Sequence, residues 1–347
     1  MIGNKLAKVA LIYGITLVRA VFAQEDKPQG LPKPSVATET GILDQPDRAA
    51  WFRLARFGVF MHYVGAESTT AADWNEKINR FDVEGLAKQL ESIGARYFFI
   101  TLGQNSGHFL SPNKTYDSMV GINPSKCAQR DLVADLYQAL EPRGIRLMVY
   151  LPSGAPDRDP IAMDKLEWKR GPYPNREFQL KWESVIREWS ERWGKHVHGW
   201  WFDGCYWPNA MYRGKTAPNF ESFAAAARSG NPDSIVAFNP GRLGTLMPMS
   251  PYEDYTAGEI NDVETARPRP RDGAQPHLAS FLGTGWGRGA ELRYTDEQII
   301  SWTLGLTKKG VVVTYDVPPR QADGLIPEVF LQQLRKIGAA VQGAPSR

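Results

Sequence analysis

The sequence predicts an α/β fold, a single (β/α)8 barrel of the TIM type, on three observations. From Trp51 onward, short β-branched or aromatic runs alternate with amphipathic helical stretches, the pattern of parallel strands joined by crossover helices. The length of 347 residues is ordinary for one such barrel. No Gly-x-Gly-x-x-Gly follows the first strand, which argues against an open dinucleotide-binding sheet.

The elements follow in order. Residues 57–63 read as the first strand and 83–93 as a helix with apolar residues at helical spacing. The second strand is expected over 97–102. A helix over 132–140 is stopped by Pro142 and Gly144, and a third strand over 146–151 follows. A long helix from about 176 to 193 carries Phe178, Trp182, Val185, Ile186 and Trp189 on one face. Residues 199–203 form the fourth strand. A helix (220–228), a strand (235–239), a helix (296–306), a strand (311–317) and a helix (328–341) continue the alternation. Residues 241–293 carry many Gly and Pro and little period. A long irregular stretch of this kind inside a compact domain is usually functional.

The first 23 residues read as a secretory signal peptide. Lys5 and Lys8 form the basic region, Val9 to Val18 the apolar region, and Val21-Phe22-Ala23 the cleavage site. The apolar run is too short for a permanent membrane span, so no membrane anchor is expected after cleavage. Residues 24–46 read as a flexible leader and 47–347 as the barrel, in a periplasmic or secreted protein. Three of the 41 basic residues (Lys5, Lys8, Arg19) lie in the signal segment, leaving 38 against 38 acidic residues. With no net charge and no basic run, a nucleic-acid partner is not supported. Two cysteines, Cys127 and Cys205, make no disulfide scaffold and read as small buried thiols, with pairing in an oxidising compartment as the alternative if both lie on one barrel face. No Cys/His spacing suggests zinc, and no cofactor is implied.

The chemistry is concentrated in Gly199-Trp200-Trp201-Phe202-Asp203-Gly204. Three large apolar side chains lead into one carboxylate, which is costly to bury without a partner or a task. Barrel active sites are built at the carboxyl ends of the strands, where this chain places polar residues repeatedly. His62, Glu67 and Asp73-Trp74 follow strand one, and Gln104, Asn105 and His108 follow strand two. Tyr150 ends strand three, Asn239 and Arg242 follow strand five, and Asp316 ends the last strand. Carboxylates among aromatic walls and hydroxyl-reading polar groups are the equipment of glycoside hydrolysis, with a glycan as partner. Spacing alone does not separate Glu259 from Asp316 or Glu67 as the second carboxylate. No Gly-x-Ser-x-Gly elbow supports a serine hydrolase.

The chain resembles the family 29 glycoside hydrolases, the retaining α-L-fucosidases, from about Trp51 to Val341. Phe57-Gly58-Val59-Phe60-Met61-His62 is similar to their opening strand, and Trp201-Phe202-Asp203-Gly204 to their nucleophile motif. Asn239-Pro240-Gly241-Arg242, Asp254-Tyr255-Thr256-Ala257-Gly258-Glu259 and Gly324-Leu325-Ile326-Pro327 match further segments in the same order. The resemblance implies Asp203 as nucleophile, Glu259 as acid/base, and His62 and Arg242 as sugar contacts. Asp73-Trp74 stands where the family has Glu-Trp. Gln104-Asn105 stands where it has two adjacent histidines that read sugar hydroxyls. Tyr150, Trp201 and Trp286 complete the expected substrate-binding set.

The implied activity is hydrolysis of terminal α-L-fucosides by double displacement. The altered pair Gln104-Asn105 favours an alternative glycosidase for another or modified sugar, such as an α-L-galactoside. A non-hydrolytic sugar-binding protein on the same fold is a third reading, opposed by the presence of both Asp203 and Glu259.

Overall fold

A computed structural model of the chain describes residues 47–344, apart from 243 and 269–272. The expected signal peptide (1–23) and leader (24–46) both lie outside the described residues.

Seven parallel strands form one curled sheet: β1 (Phe57–Met61), β2 (Tyr97–Thr101), β3 (Arg146–Pro152), β4 (Val197–Asp203), β5 (Ile235–Phe238), β6 (His277–Phe281) and β7 (Val312–Val317). Their order is β5-β4-β3-β2-β1-β7-β6. Among the described residues ten α-helices accompany them: α1 (Ala50–Ala55), α2 (Ala71–Asn79), α3 (Val83–Ser92), α4 (Lys114–Val120), α5 (Leu132–Leu140), α6 (Pro160–Lys165), α7 (Arg176–Trp193), α8 (Phe220–Ala227), α9 (Asp296–Thr307) and α10 (Glu328–Gly343). Side-chain caps set several of their starts. Asp82 accepts from Gly85 N ahead of α3, Asp131 from Ala134 N ahead of α5, and Thr295 with Gln298 forms a capping box ahead of α9.

Alternation along each strand sorts the apolar residues into two clusters. Val59, Phe98, Val149, Phe202, Val236 and Val313 pack in the larger cluster with helix residues such as Leu86, Leu136, Trp182 and Leu334. Phe60, Phe99, Tyr150, Trp201, Ala237 and Val312 point to the other face and form one cluster with Tyr255 and Ala257. Strands from both halves of the sheet thus share a single inner core. Phe52 of α1 closes its amino-terminal end, fully buried against Tyr97 of β2, Tyr255 and His277 of β6.

The structure bears out the first expectation in part and corrects a second. Among the described residues the main sheet has seven strands, a curled half-barrel. Between β5 and β6 runs the segment 254–260, joined by backbone hydrogen bonds from Asp254 N to Val236 O and from Ala279 N to Gly258 O. Gly258 breaks its extended run: its φ is +65° and a Cβ there would meet His277 O at 1.9 Å. The stretch expected to be irregular also holds β6. His277-Leu278-Ala279-Ser280-Phe281 contains no β-branched residue, so it carries little strand signal, yet all five residues are buried.

Candidate active site

The carboxyl ends of the strands surround a cavity of about 550 Å³. Nine of the residues singled out from the sequence line it: His62, Glu67, Gln104, Asn105, Tyr150, Trp201, Asp203, Glu259 and Trp286. They come from the ends of β1 to β4 and the loops just after them, from the segment 254–260 and from the loop after β6.

Asn239, the first residue after β5, joins the two carboxylates. Its Nδ2 donates to Asp203 Oδ1 at 2.8 Å and to Glu259 Oε2 at 2.7 Å. Two contacts that share one nitrogen hold the two oxygens no more than about 5.5 Å apart. Asn239 is itself fully buried, and its backbone N–H donates to Phe202 O, so the amide is fixed by the sheet. The other Asp203 oxygen accepts from the Tyr150 hydroxyl at 2.6 Å, and Gln104 Nε2 donates to that hydroxyl at 2.5 Å. Burial and the neighbouring Asp203 charge hold the Tyr150 phenol well above its ordinary pKa, so it stays a donor. Burial raises the pKa of the Glu259 carboxyl and the Asp203 charge adds to this, against the opposing pull of Asn239, Arg242 and His62. One carboxylate therefore has two donors while the other is pushed toward its acid form, an arrangement suited to a nucleophile beside a general acid.

His62 is fixed from behind. Its Nδ1 lies 2.7 Å from Asp316 Oδ1, and Asp316 is fully buried at the end of β7. The other Asp316 oxygen accepts from Gly287 N, which ties the Trp286 loop to the same carboxylate. A side chain at position 287 would collide with His62, since a Cβ there would lie 2.6 Å from His62 Cβ. Trp201 stacks on Tyr150 at 5.2 Å, and its indole N–H donates to Ala257 O, forming the cavity floor.

Three expected contacts lie elsewhere. Asp73 and Trp74 sit in the first turn of α2, outside the cavity lining. Asp73 pairs with the Thr70 cap, and Trp74 is buried in the helix layer with its indole N–H donating to Phe109 O. The loop after β1 instead brings Val64, Gly65, Ala66 and Glu67 to the cavity. Arg242 is exposed and outside the lining, and acts on Glu259 through its charge alone. His277, expected in an irregular loop, opens β6 fully buried, and burial lowers its pKa to about 4. Cys127 and Cys205 are buried and unpaired.

The bridging role of Asn239 escaped sequence reasoning, which attended to Arg242 in the same segment. Its signal was a polar residue directly after an apolar strand. The Glu67–Arg158 ion pair (2.7 Å) at the cavity wall was also missed, because it joins loops 91 residues apart.

Comparison with known proteins identifies the family and the fold. A family model described as alpha-L-fucosidase matches residues 76–343. The endo-fucoidan hydrolase MfFcnA4 of glycoside hydrolase family 107 is 16% identical with a TM-score of 0.68. The match covers 86% of this chain and 54% of that one, so this chain spans about half its length. Alpha-L-fucosidase isoenzyme 1 from Paenibacillus thiaminolyticus is 20% identical with a TM-score of 0.59, over 85% of this chain and 75% of that one. Alpha-L-fucosidase AlfC from Lactobacillus casei, in complex with its α-L-fucose product, is 16% identical with a TM-score of 0.57, over 84% and 97%. Comparison with curated protein sequences gives no match. At these identities the solved structures speak for the fold. The family match defines the class, a glycoside hydrolase, and enzymes of that class act on glycans. Within that class, the chain belongs to the alpha-L-fucosidase family, glycoside hydrolase family 29.

Proposed function

We propose that the protein is an exported, retaining exo-glycosidase that releases terminal α-L-fucosyl groups. The observation that carries this reading is the single Asn239 amide shared by Asp203 and Glu259. In the first step an Asp203 oxygen attacks the anomeric carbon while Glu259 gives its proton to the leaving oxygen. The glycosyl-enzyme ester and the free alcohol result. In the second step Glu259 takes a proton from water, the water oxygen attacks the same carbon, and Asp203 leaves as carboxylate. Tyr150 and Asn239 hold Asp203 in the attacking position, and Trp201 and Trp286 wall the sugar.

His62 presents its free ring nitrogen to a sugar hydroxyl, and Asn105 reads another. Gln104 already gives its amide to Tyr150 and accepts from Asn105 N. That commitment means the pair meets the sugar differently from two histidines, and it is the observation behind the second reading, a related sugar such as an α-L-galactoside. We take the segment 254–260 as the eighth stave of a closed barrel, and residues 1–23 as the export signal. Export rests on the basic, apolar and small-residue pattern of that segment.

The test is hydrolysis of nitrophenyl glycosides, α-L-fucoside and α-L-galactoside among them, with the first-formed anomer followed by NMR. The reading expects fucoside cleavage and a product that first appears with the substrate's configuration. Cleavage of the galactoside alone would select the second reading. Inverted product, or binding without cleavage, would overturn the mechanism.

A further inference from the structure

The loop after the nucleophile carries an aromatic side chain that the mechanism does not use. Tyr206 stands three residues beyond Asp203 and is 50% exposed, unlike Tyr150 and Trp201 on the cavity floor. Its placement is not that of a free surface residue. Tyr206 N donates to Gly204 O at 2.8 Å, and Cys205 N donates to Asn239 O at 2.8 Å, so the loop is pinned to the turn that holds the carboxylate bridge. Cys205 is fully buried and anchors it from below.

The Tyr206 ring spans two glycine turns. A Cβ at Gly241 would lie 3.3 Å from Tyr206 Cε1, and one at Gly204 would lie 4.0 Å from Cε2. Both glycines have a positive φ, +91° and +88°, so both turns bring bare backbone against the ring. Trp207 meets it edge to face at 5.9 Å. The ring is thus supported on its protein side and open on the other. It is also near both carboxylates: besides burial, the Asp203 and Glu259 charges both raise the pKa of its hydroxyl. Tyr206 is outside the cavity that encloses the fucosyl group in the proposed reaction. A rigid, half-exposed aromatic ring with a polar tip suits a ligand with one apolar face and a rim of hydroxyls. In this reaction the group that lies outside the cavity, next to the acid, is the leaving group.

We propose that Tyr206 is the platform on which the sugar ring of the leaving group stacks, so that the site is built for fucosyl groups attached to another saccharide. This rests on the exo-fucosidase reading above. Tyr206 then acts on the choice of leaving group and takes no part in bond breaking.

The experiment compares kcat/KM of the wild type, Tyr206→Ala and Tyr206→Phe on two substrates, an α-L-fucosyl disaccharide and α-L-fucosyl fluoride. Fluoride offers nothing to stack. Loss of the ring should lower kcat/KM on the disaccharide roughly 5- to 30-fold, with the fluoride changed less than about twofold. Tyr206→Phe, which keeps the ring, should stay close to wild type on both substrates. Equal losses on the two substrates would assign Tyr206 to the architecture of the nucleophile loop and overturn the platform. An unchanged disaccharide rate would overturn it as well. A wild type inert toward the fluoride would instead overturn the fucosidase reading, and this inference with it.

Discussion

Removing the Asn239 amide perturbs both carboxylates at once. Two full charges no more than about 5.5 Å apart repel by at least roughly 3 kcal/mol at an effective dielectric near 20. In the native site Asn239 offsets part of this by donating to both groups, and its bond to Glu259 pulls that carboxyl's pKa down against burial and Asp203. In Asn239→Ala the opposing pull is gone, so the Glu259 pKa rises further. The sign at the level of rate follows from the proposed role. Glu259 acts as an acid, so activity is lost as pH rises through its pKa, and a raised pKa carries the alkaline limb of kcat/KM to higher pH. Asp203 loses one of its two donors, which should lower kcat/KM at the optimum roughly 10- to 100-fold. The assay is a pH profile of kcat/KM with a fucosyl disaccharide, whose poor leaving group needs the acid. An alkaline limb that stayed in place, or moved to lower pH, would refute the bridge as a tuning element.

Two further predictions rest on particular side chains. His277 is buried with a pKa near 4, so between about 4 and 6.5 the unfolded chain binds a proton that the native one does not. Its contribution to stability is fully present above about 6.5 and is lost as pH falls toward 4, by an amount on the order of 3 kcal/mol. Urea midpoints at pH 7 and pH 5 should show a fall in wild type and a shallower one in His277→Gln; equal slopes would contradict the assignment. Gln104→Ala removes the donor to the Tyr150 hydroxyl and should lower kcat/KM on aryl fucosides roughly 5- to 100-fold, whereas an unchanged value would show that Tyr150 is held without it.

Much of the architecture was legible because apolar periodicity reports burial directly. The helices 132–140 and 176–193 have the bounds their spacing gives, since each buries one continuous stripe. The strand ending in Asp203 was readable because Trp200, Trp201 and Phe202 are buried on both faces of the sheet. β6 was not readable, because buried His277 and Ser280 owe their places to partners at Thr314, Thr256 and Asn261 that sequence alone does not pair with them. The same applies to the site. Strand ends indicate where polar residues gather, so His62, Tyr150 and Asp203 could be named. They do not tell which way a helix turns, so Trp74 was expected at the sugar although α2 turns it into the core. Asn239 needed the structure, because its task is defined by two carboxylates 36 and 20 residues away.

The most direct test of the central proposal is to trap the glycosyl-enzyme. Incubation with a 2-deoxy-2-fluoro-α-L-fucosyl fluoride slows both steps while the fluoride leaving group favours the first. Digestion and mass spectrometry then locate the sugar. The account predicts one fluorosugar per chain, esterified to Asp203. An adduct on Glu259 or Asp316, or no adduct together with an inverted product, would contradict it.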